Sequence, residues 1–172
     1  MLFKLSGSLI VIAISFAYGL FCSKKDKFHL EDLREFKKFF LILTSEITYS
    51  NTPLYQIFLD ISEKTGDITS LMCKNAAYEI INNQTSAELI FKKAFLDIFN
   101  FTYLDSEDKK YFLSFSKILK SDDKNQIISN IKTIISYIEN KEQEVINKSL
   151  NNMKMYKSLG VLGGLLIAVI LI

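Results

Sequence analysis

"FHLEDLREFKKFFLILTSEI", Phe28 to Ile47, decides the fold class. Leu30, Leu33, Phe36, Phe40, Leu43 and Ile47 recur at the three- and four-residue steps that place side chains on one face of an α-helix. Glu31, Arg34, Glu35, Lys37 and Lys38 fall mostly on the other side. A half-buried strand would alternate at every second residue, and this stretch does not. It reads as an amphipathic helix with an aromatic-rich buried face.

The helical period continues downstream. "SNTPL" (Ser50 to Leu54) stops the first helix, because Pro53 keeps Thr52 out of helical geometry. Thr52 and Pro53 then suit the N-cap and first position of a second helix, "PLYQIFLDISEKTG", which closes at Gly66 as a left-handed cap. A third helix is predicted near Ile68 to Ile81, ending at "NNQ". "TSAE" (Thr85 to Glu88) is a capping box for a fourth, which continues to about Phe101. "DSEDKKYFLSFSKIL" (Asp105 to Leu119) makes a fifth, with acidic residues in its first turn as the helix dipole prefers.

Nothing breaks the last helix from about Asp122 to Ser158, well beyond the roughly 8 to 20 residues usual in globular domains. Ile131, Ile138 and Val145 fall seven apart, with Ile128 and Ile135 seven apart beside them. Glu139 to Lys148 is more polar, so the second half is expected to leave the bundle as a stalk. No internal repeat stands out. The fold expected is all-α, a bundle of about five to six helices.

At 172 residues the chain suits one domain of ordinary size. Hydrophobic residues at 49% against 23% charged are enough for a real core. A net charge of +2 argues against a nucleic-acid binder that relies on a broad basic face. Cys22 and Cys73 have no ligand spacing and read as buried thiols, not as a disulfide framework.

Two apolar runs flank this domain. Leu5 to Cys22 is 18 residues without a charge, between Lys4 and "KKDK" (Lys24 to Lys27). That meets the length for a transmembrane helix, and Tyr18 to Cys22 offers no small-residue cleavage site. At the other end, "YKSLGVLGGLLIAVILI" covers Tyr156 to Ile172. From Leu159 a helix reaches about 21 Å, short of a hydrocarbon core of about 30 Å. Extended back to Met153 it spans, with Lys154 and Lys157 snorkelling to the headgroups. A spanning end and a short interfacial one both stay open. Gly160 and Gly164 form a GxxxG pair, and Ser15 and Gly19 a looser one, suited to close packing of membrane helices. Lys24, Lys25 and Lys27 follow the first run, and Lys148, Lys154 and Lys157 precede the second. Positive charge resists translocation, so the middle of the chain is expected in the cytoplasm. The domain plan is thus an N-terminal transmembrane helix (1–23), a cytoplasmic helical bundle (24–152) and a C-terminal membrane segment (153–172).

Chemistry-bearing patterns are sparse. His29 is the one histidine, so a His-based metal site or catalytic triad has little to work with. It is expected in solvent near the membrane face. No glycine-rich phosphate loop occurs. The acidic pairs Glu107–Asp108 and Asp122–Asp123 stand at helix starts, where dipole compensation accounts for them. The residues point to no enzyme, no cofactor, no metal, no nucleic acid and no small-molecule substrate. They leave open a membrane-anchored helical regulator or sensor. A pore is disfavoured, since neither apolar run carries a polar stripe.

"LTSEITYSNTPL" (Leu43 to Leu54) and the C-terminal run resemble the two most characteristic stretches of the stage III sporulation protein AB family. The first contributes Glu46, Tyr49, Thr52, Pro53 and Leu54, and the second its "KSLG" entry into the apolar run (Lys157 to Gly160). The chain departs at "FSKILKSDD" (Phe115 to Asp123), where the resemblance implies glycine near Ser116 and Lys120. It implies a platform component of the channel complex between mother cell and forespore, needed for endospore formation. It further implies a helical domain like the cytoplasmic F-type domains of the type II secretion inner-membrane platform. That protein would sit in the mother-cell membrane around the forespore. Its partners would be other stage III sporulation proteins, including a separate cytoplasmic secretion-type ATPase. Two roles fit Glu46 to Leu54: a tie between one helix and the cap of the next, or a partner-binding patch.

Overall fold

The computed structural model describes residues 2–49, 52–82, 85–119 and 123–171, with side chains described between residues 24 and 152 of those ranges and at residue 155. Among them every regular element is helical: α1 (Leu2–Tyr49), α2 (Leu54–Lys64), α3 (Asp67–Asn82), α4 (Ala87–Phe99), α5 (Ser106–Ile118) and α6 (Lys124–Leu171). The all-α bundle expected from periodicity is the fold observed. The chain divides into two compact units, one of His29–Glu142 and one of Met1–Phe28 with Gln143–Ile172. Helix α1 runs unbroken through Lys24 to Lys27, and α6 through Glu139 to Lys148.

Within His29–Glu142 the core is built on α1. Leu33, Phe36, Phe40, Leu43 and Ile47 are buried as the spacing predicts, and so is Phe39, which the single stripe omits. Phe39 widens the apolar face because neighbours cover α1 on more than one side. Its ring lies 4.9 Å from Phe40, 6.0 Å from Phe91 and 6.3 Å from Phe58. Phe36 stacks on Phe112 at 4.8 Å, and Phe40 meets Phe115 edge-on at 5.3 Å. These rings join α1 to α2, α4 and α5. Each buried Phe contributes about 1.5–3 kcal/mol by leaving water, and each well-placed ring pair about 0.5–1.5 kcal/mol more. Helix α3, packed between α2 and α4, instead buries Met72, Cys73, Ala76 and Ala77.

On α6 the buried residues, among those whose side chains are described, are Ile131, Ile134, Ile138, Lys141 and Val145. Their steps of three and four make a heptad seam. Ile134 takes the place expected of Ile135, which is half-buried. Lys141 occupies a seam position as the one charged member.

Several local expectations are corrected. Pro53 stands at the N-cap of α2 with φ −59° and ψ 146°, not inside its first turn. Gly66 is not a left-handed cap, since no glycine among the described residues has positive φ. It sits at a close approach instead: its N–H donates to Glu35 Oε2 at 2.7 Å, and a Cβ there would lie 3.1 Å from that carboxylate, which would have to shift slightly. Ser86 is the N-cap of α4 but makes no side-chain capping bond, so "TSAE" is not a capping box. Helix α4 ends at Phe99. Helix α5 continues through Ser116, whose buried hydroxyl donates to the Leu113 carbonyl at 2.7 Å, while Lys120 lies outside the described residues.

Among the described residues no helix is long and apolar enough to cross a membrane. The two runs expected to do so, residues 5–22 and 159–172, lie outside the residues whose side chains are described, as do Cys22, Gly160 and Gly164.

Candidate functional site

The residues singled out by sequence lie around the α1–α2 corner. Glu46 pairs with Lys64, its Oε1 3.8 Å from the ammonium. Lys64 is in the last turn of α2, so Glu46 reaches the end of that helix and not its cap. Tyr49 ties nothing down among the described contacts: it is 88% exposed at the end of α1. Thr52 and Leu54 are half-buried and Pro53 is exposed. The Pro53 carbonyl accepts from the Gln56 and Ile57 N–H groups at 3.0 and 3.2 Å, which starts α2. The corner thus combines a structural proline with an outward tyrosine.

A second constellation forms at the N-terminus of α5, and sequence reading did not assemble it. Asp105 is the N-cap, accepting from the Glu107 and Asp108 N–H groups at 2.8 and 2.9 Å. Asp108 answers through Oδ2, accepting from the Asp105 N–H at 2.8 Å, and so completes a capping box. Asp108 is fully buried. Its Oδ2 also lies 2.7 Å from His29 Nε2 on α1, and its Oδ1 accepts from the Tyr137 hydroxyl on α6 at 2.7 Å. With a carboxylate as acceptor, His29 Nε2 carries the proton. The Tyr137 ring stacks on Tyr111 at 3.7 Å. Lys141 Nζ donates to Glu107 Oε2 at 2.7 Å and sits 3.3 Å from Asp105 Oδ2. Beside the cluster, Asp32 accepts from the Tyr103 N–H at 2.6 Å. On the other flank of α6, Lys37 lies 3.1 Å from Glu139 and 3.5 Å from Glu142, and Arg34 Nε is 3.9 Å from Glu142.

The electrostatics follow from these contacts. Burial pushes the Tyr137 hydroxyl well above its ordinary value, and the Asp108 carboxylate adds to that. Burial also pushes Asp105 upward, but N–H groups of Asp108 and Glu107 and the Lys141 ammonium outweigh it, holding that carboxyl below its usual range. Asp32 is raised, since its desolvation exceeds the help of the Tyr103 N–H. His29 is therefore half-buried and bonded, not in free solvent, and Asp108 does more than compensate a dipole.

His29, Asp105 and Asp108 each bring one ligand-type atom within 4.8 Å of the others, a geometry that a cation could use. Those atoms already have protein partners, and Lys141 supplies positive charge beside Asp105. The arrangement suits a structural junction of three helices better than a metal centre. Two signals for it existed in the sequence: the "DSED" spacing of a capping box, and a lysine on the seam of α6.

Comparison with known proteins places this chain in a family. A family model for stage III sporulation protein AB matches residues 4–172. The stage III sporulation protein AB of Bacillus subtilis (strain 168) is 22% identical over 168 residues, covering 98% of each chain. A solved structure of a stage III sporulation protein AB has the same fold, with a TM-score of 0.67 at 16% identity, covering 72% of this chain and 97% of that one. These likenesses support a role in sporulation. Matched from residue 4 to its last residue, the chain belongs to the stage III sporulation protein AB family.

Proposed function

We propose that this chain is a non-enzymatic membrane platform or adaptor in the channel complex between mother cell and forespore, acting beside a separate secretion-type ATPase. The observation that carries this reading is the family match over residues 4–172. A helical domain whose buried Asp108 is bonded to His29 and Tyr137 of neighbouring helices suits work done by contact. The apolar runs 5–22 and 159–172 are the two membrane segments, and the lysines on their inner flanks keep the bundle in the cytoplasm. The protein resides in the mother-cell membrane around the forespore. The exposure of Tyr49 supports assigning the α1–α2 corner to partner contact. Gly160 and Gly164 provide close helix packing inside the bilayer.

The test is a pull-down of the tagged full-length chain from sporulating cells. A secretion-type ATPase and other stage III proteins should come with it, and Tyr49→Ala should weaken that recovery without changing protein level. Fractionation and spore counts accompany it. Replacing Leu166 and Val169 with lysine should impair insertion, whereas Gly160→Leu with Gly164→Leu should spare membrane association and lower spore yield. If the chain recovers no stage III partner and its deletion leaves spore counts unchanged, a membrane-anchored regulator replaces this reading.

A further inference from the structure

We infer that Asp108 is a shared anchor that couples α1 to α6, so that the two helices loosen together where the chain enters and leaves the bundle. The carboxylate is fully buried and uses both oxygens on different helices. Oδ2 meets His29 of α1, and Oδ1 meets Tyr137 of α6, partners 79 and 29 residues away in sequence. A buried carboxylate is stable only while its bonds are kept, and in a network the loss of one partner weakens the hold on the others. His29 is the first residue of the unit His29–Glu142, and Tyr137 lies in that unit's last turns. The anchor therefore stands at both ends of the bundle's chain segment. The capping box fixes it to the rigid start of α5, through the Asp105 N–H at 2.8 Å.

A competing route between the same helices runs through Lys37 of α1, which pairs with Glu139 and Glu142 of α6. The Glu139 pair is mostly in water, couples weakly and is screened by salt. The Glu142 pair is more enclosed, its side chains 25% and 13% exposed, so Lys37→Met tests whether it carries the coupling. Lys141 strengthens the α5–α6 side through Glu107 and Asp105.

Amide hydrogen exchange of the full-length chain in detergent micelles separates these routes. Tyr137→Phe removes a single hydroxyl and keeps the ring on Tyr111. It should speed exchange on the order of tenfold in residues 137–141 and also in residues 29–33, leaving α2 and α3 unchanged. By reciprocity, His29→Ala should speed residues 137–141 as well as 29–33. Ile61→Val, a mild core change in α2, serves as the control for general loosening and should show no such selectivity. The inference is overturned if Tyr137→Phe acts on α6 alone, if it acts evenly over the bundle as Ile61→Val does, or if Lys37→Met reproduces the effect and Tyr137→Phe does not.

Discussion

A carboxylate without solvent contact, such as that of Asp108, depends on every donor around it. Asp108→Ala leaves the His29 and Tyr137 donors without their acceptor and is expected to cost about 1–3 kcal/mol for each donor that water cannot reach. Tyr137→Phe leaves the carboxylate one donor short and should cost about 1.5–3 kcal/mol. Urea midpoints of a fragment covering residues 24–152 measure both, and an unchanged midpoint for Asp108→Ala would refute the junction. Asp105 carries the acid dependence. Its folded pKa is lowered, so the stability it contributes is present above the ordinary carboxyl value and is lost as pH falls through the folded one. Asp105→Asn should therefore flatten the fall in thermal midpoint as pH drops below the ordinary carboxyl value. Asp32, raised by burial, works in the opposite sense and is relieved by acid. Cys73 gives a further residue-scale check, because burial pushes its thiol up to about 12. In a Cys22→Ser chain at neutral pH, a thiol reagent should leave Cys73 unmodified until denaturant is added. Equal rates with and without denaturant would show that the α3 core is open.

At the scale of elements, α5 and α6 carry the informative contrast. Helix α5 has little apolar surface at its start and is held there by the Asp105–Asp108 capping box and its cross-helix bonds. Helix α6 is a heptad seam interrupted by Lys141, whose ammonium leaves the apolar line to reach Glu107 and Asp105. Those two carboxylates stay largely in water, so losing Lys141 does not bury an unpaired charge. Lys141→Met is expected to be neutral or stabilising by up to about 1 kcal/mol, while Lys141→Glu, placing three carboxylates together, should destabilise by several times that. Thermal melts of the same fragment decide it, and a large loss in Lys141→Met would mean that the ion pairs outweigh the seam. The seam itself was readable as Ile131, Ile138 and Val145 at heptad spacing. The interruption was readable only as a lysine on that seam, and its reason was not, because the carboxylates it reaches lie at the start of α5. The start of α4 shows the reverse error: "TSAE" has the residues of a capping box, yet Ser86 makes no side-chain capping bond.

For the whole molecule, the bundle is expected to fold without its apolar ends. Its core rings belong to α1, α2, α4 and α5 inside the unit His29–Glu142. A fragment of residues 24–152 should be helical by circular dichroism and unfold in one cooperative step. A spectrum of sheet or coil, or a drift without a transition, would show that the ends are required. Period determined the class of fold and most of the α1 face, because a 3.6-residue repeat of Leu, Ile and Phe can be buried only as a helix stripe, and breakers such as Pro53 marked the succession of helices. The motif around Glu46 to Leu54 and the terminal apolar run determined the family resemblance. Tertiary structure decided which further side chains are enclosed, as with Phe39, and which polar groups meet. His29 and Asp108 are separated by 79 residues, and nothing local to either records the other. Helical period is a property of neighbours along the chain, whereas the burial of Asp108 among its partners arises only when three helices have closed around it.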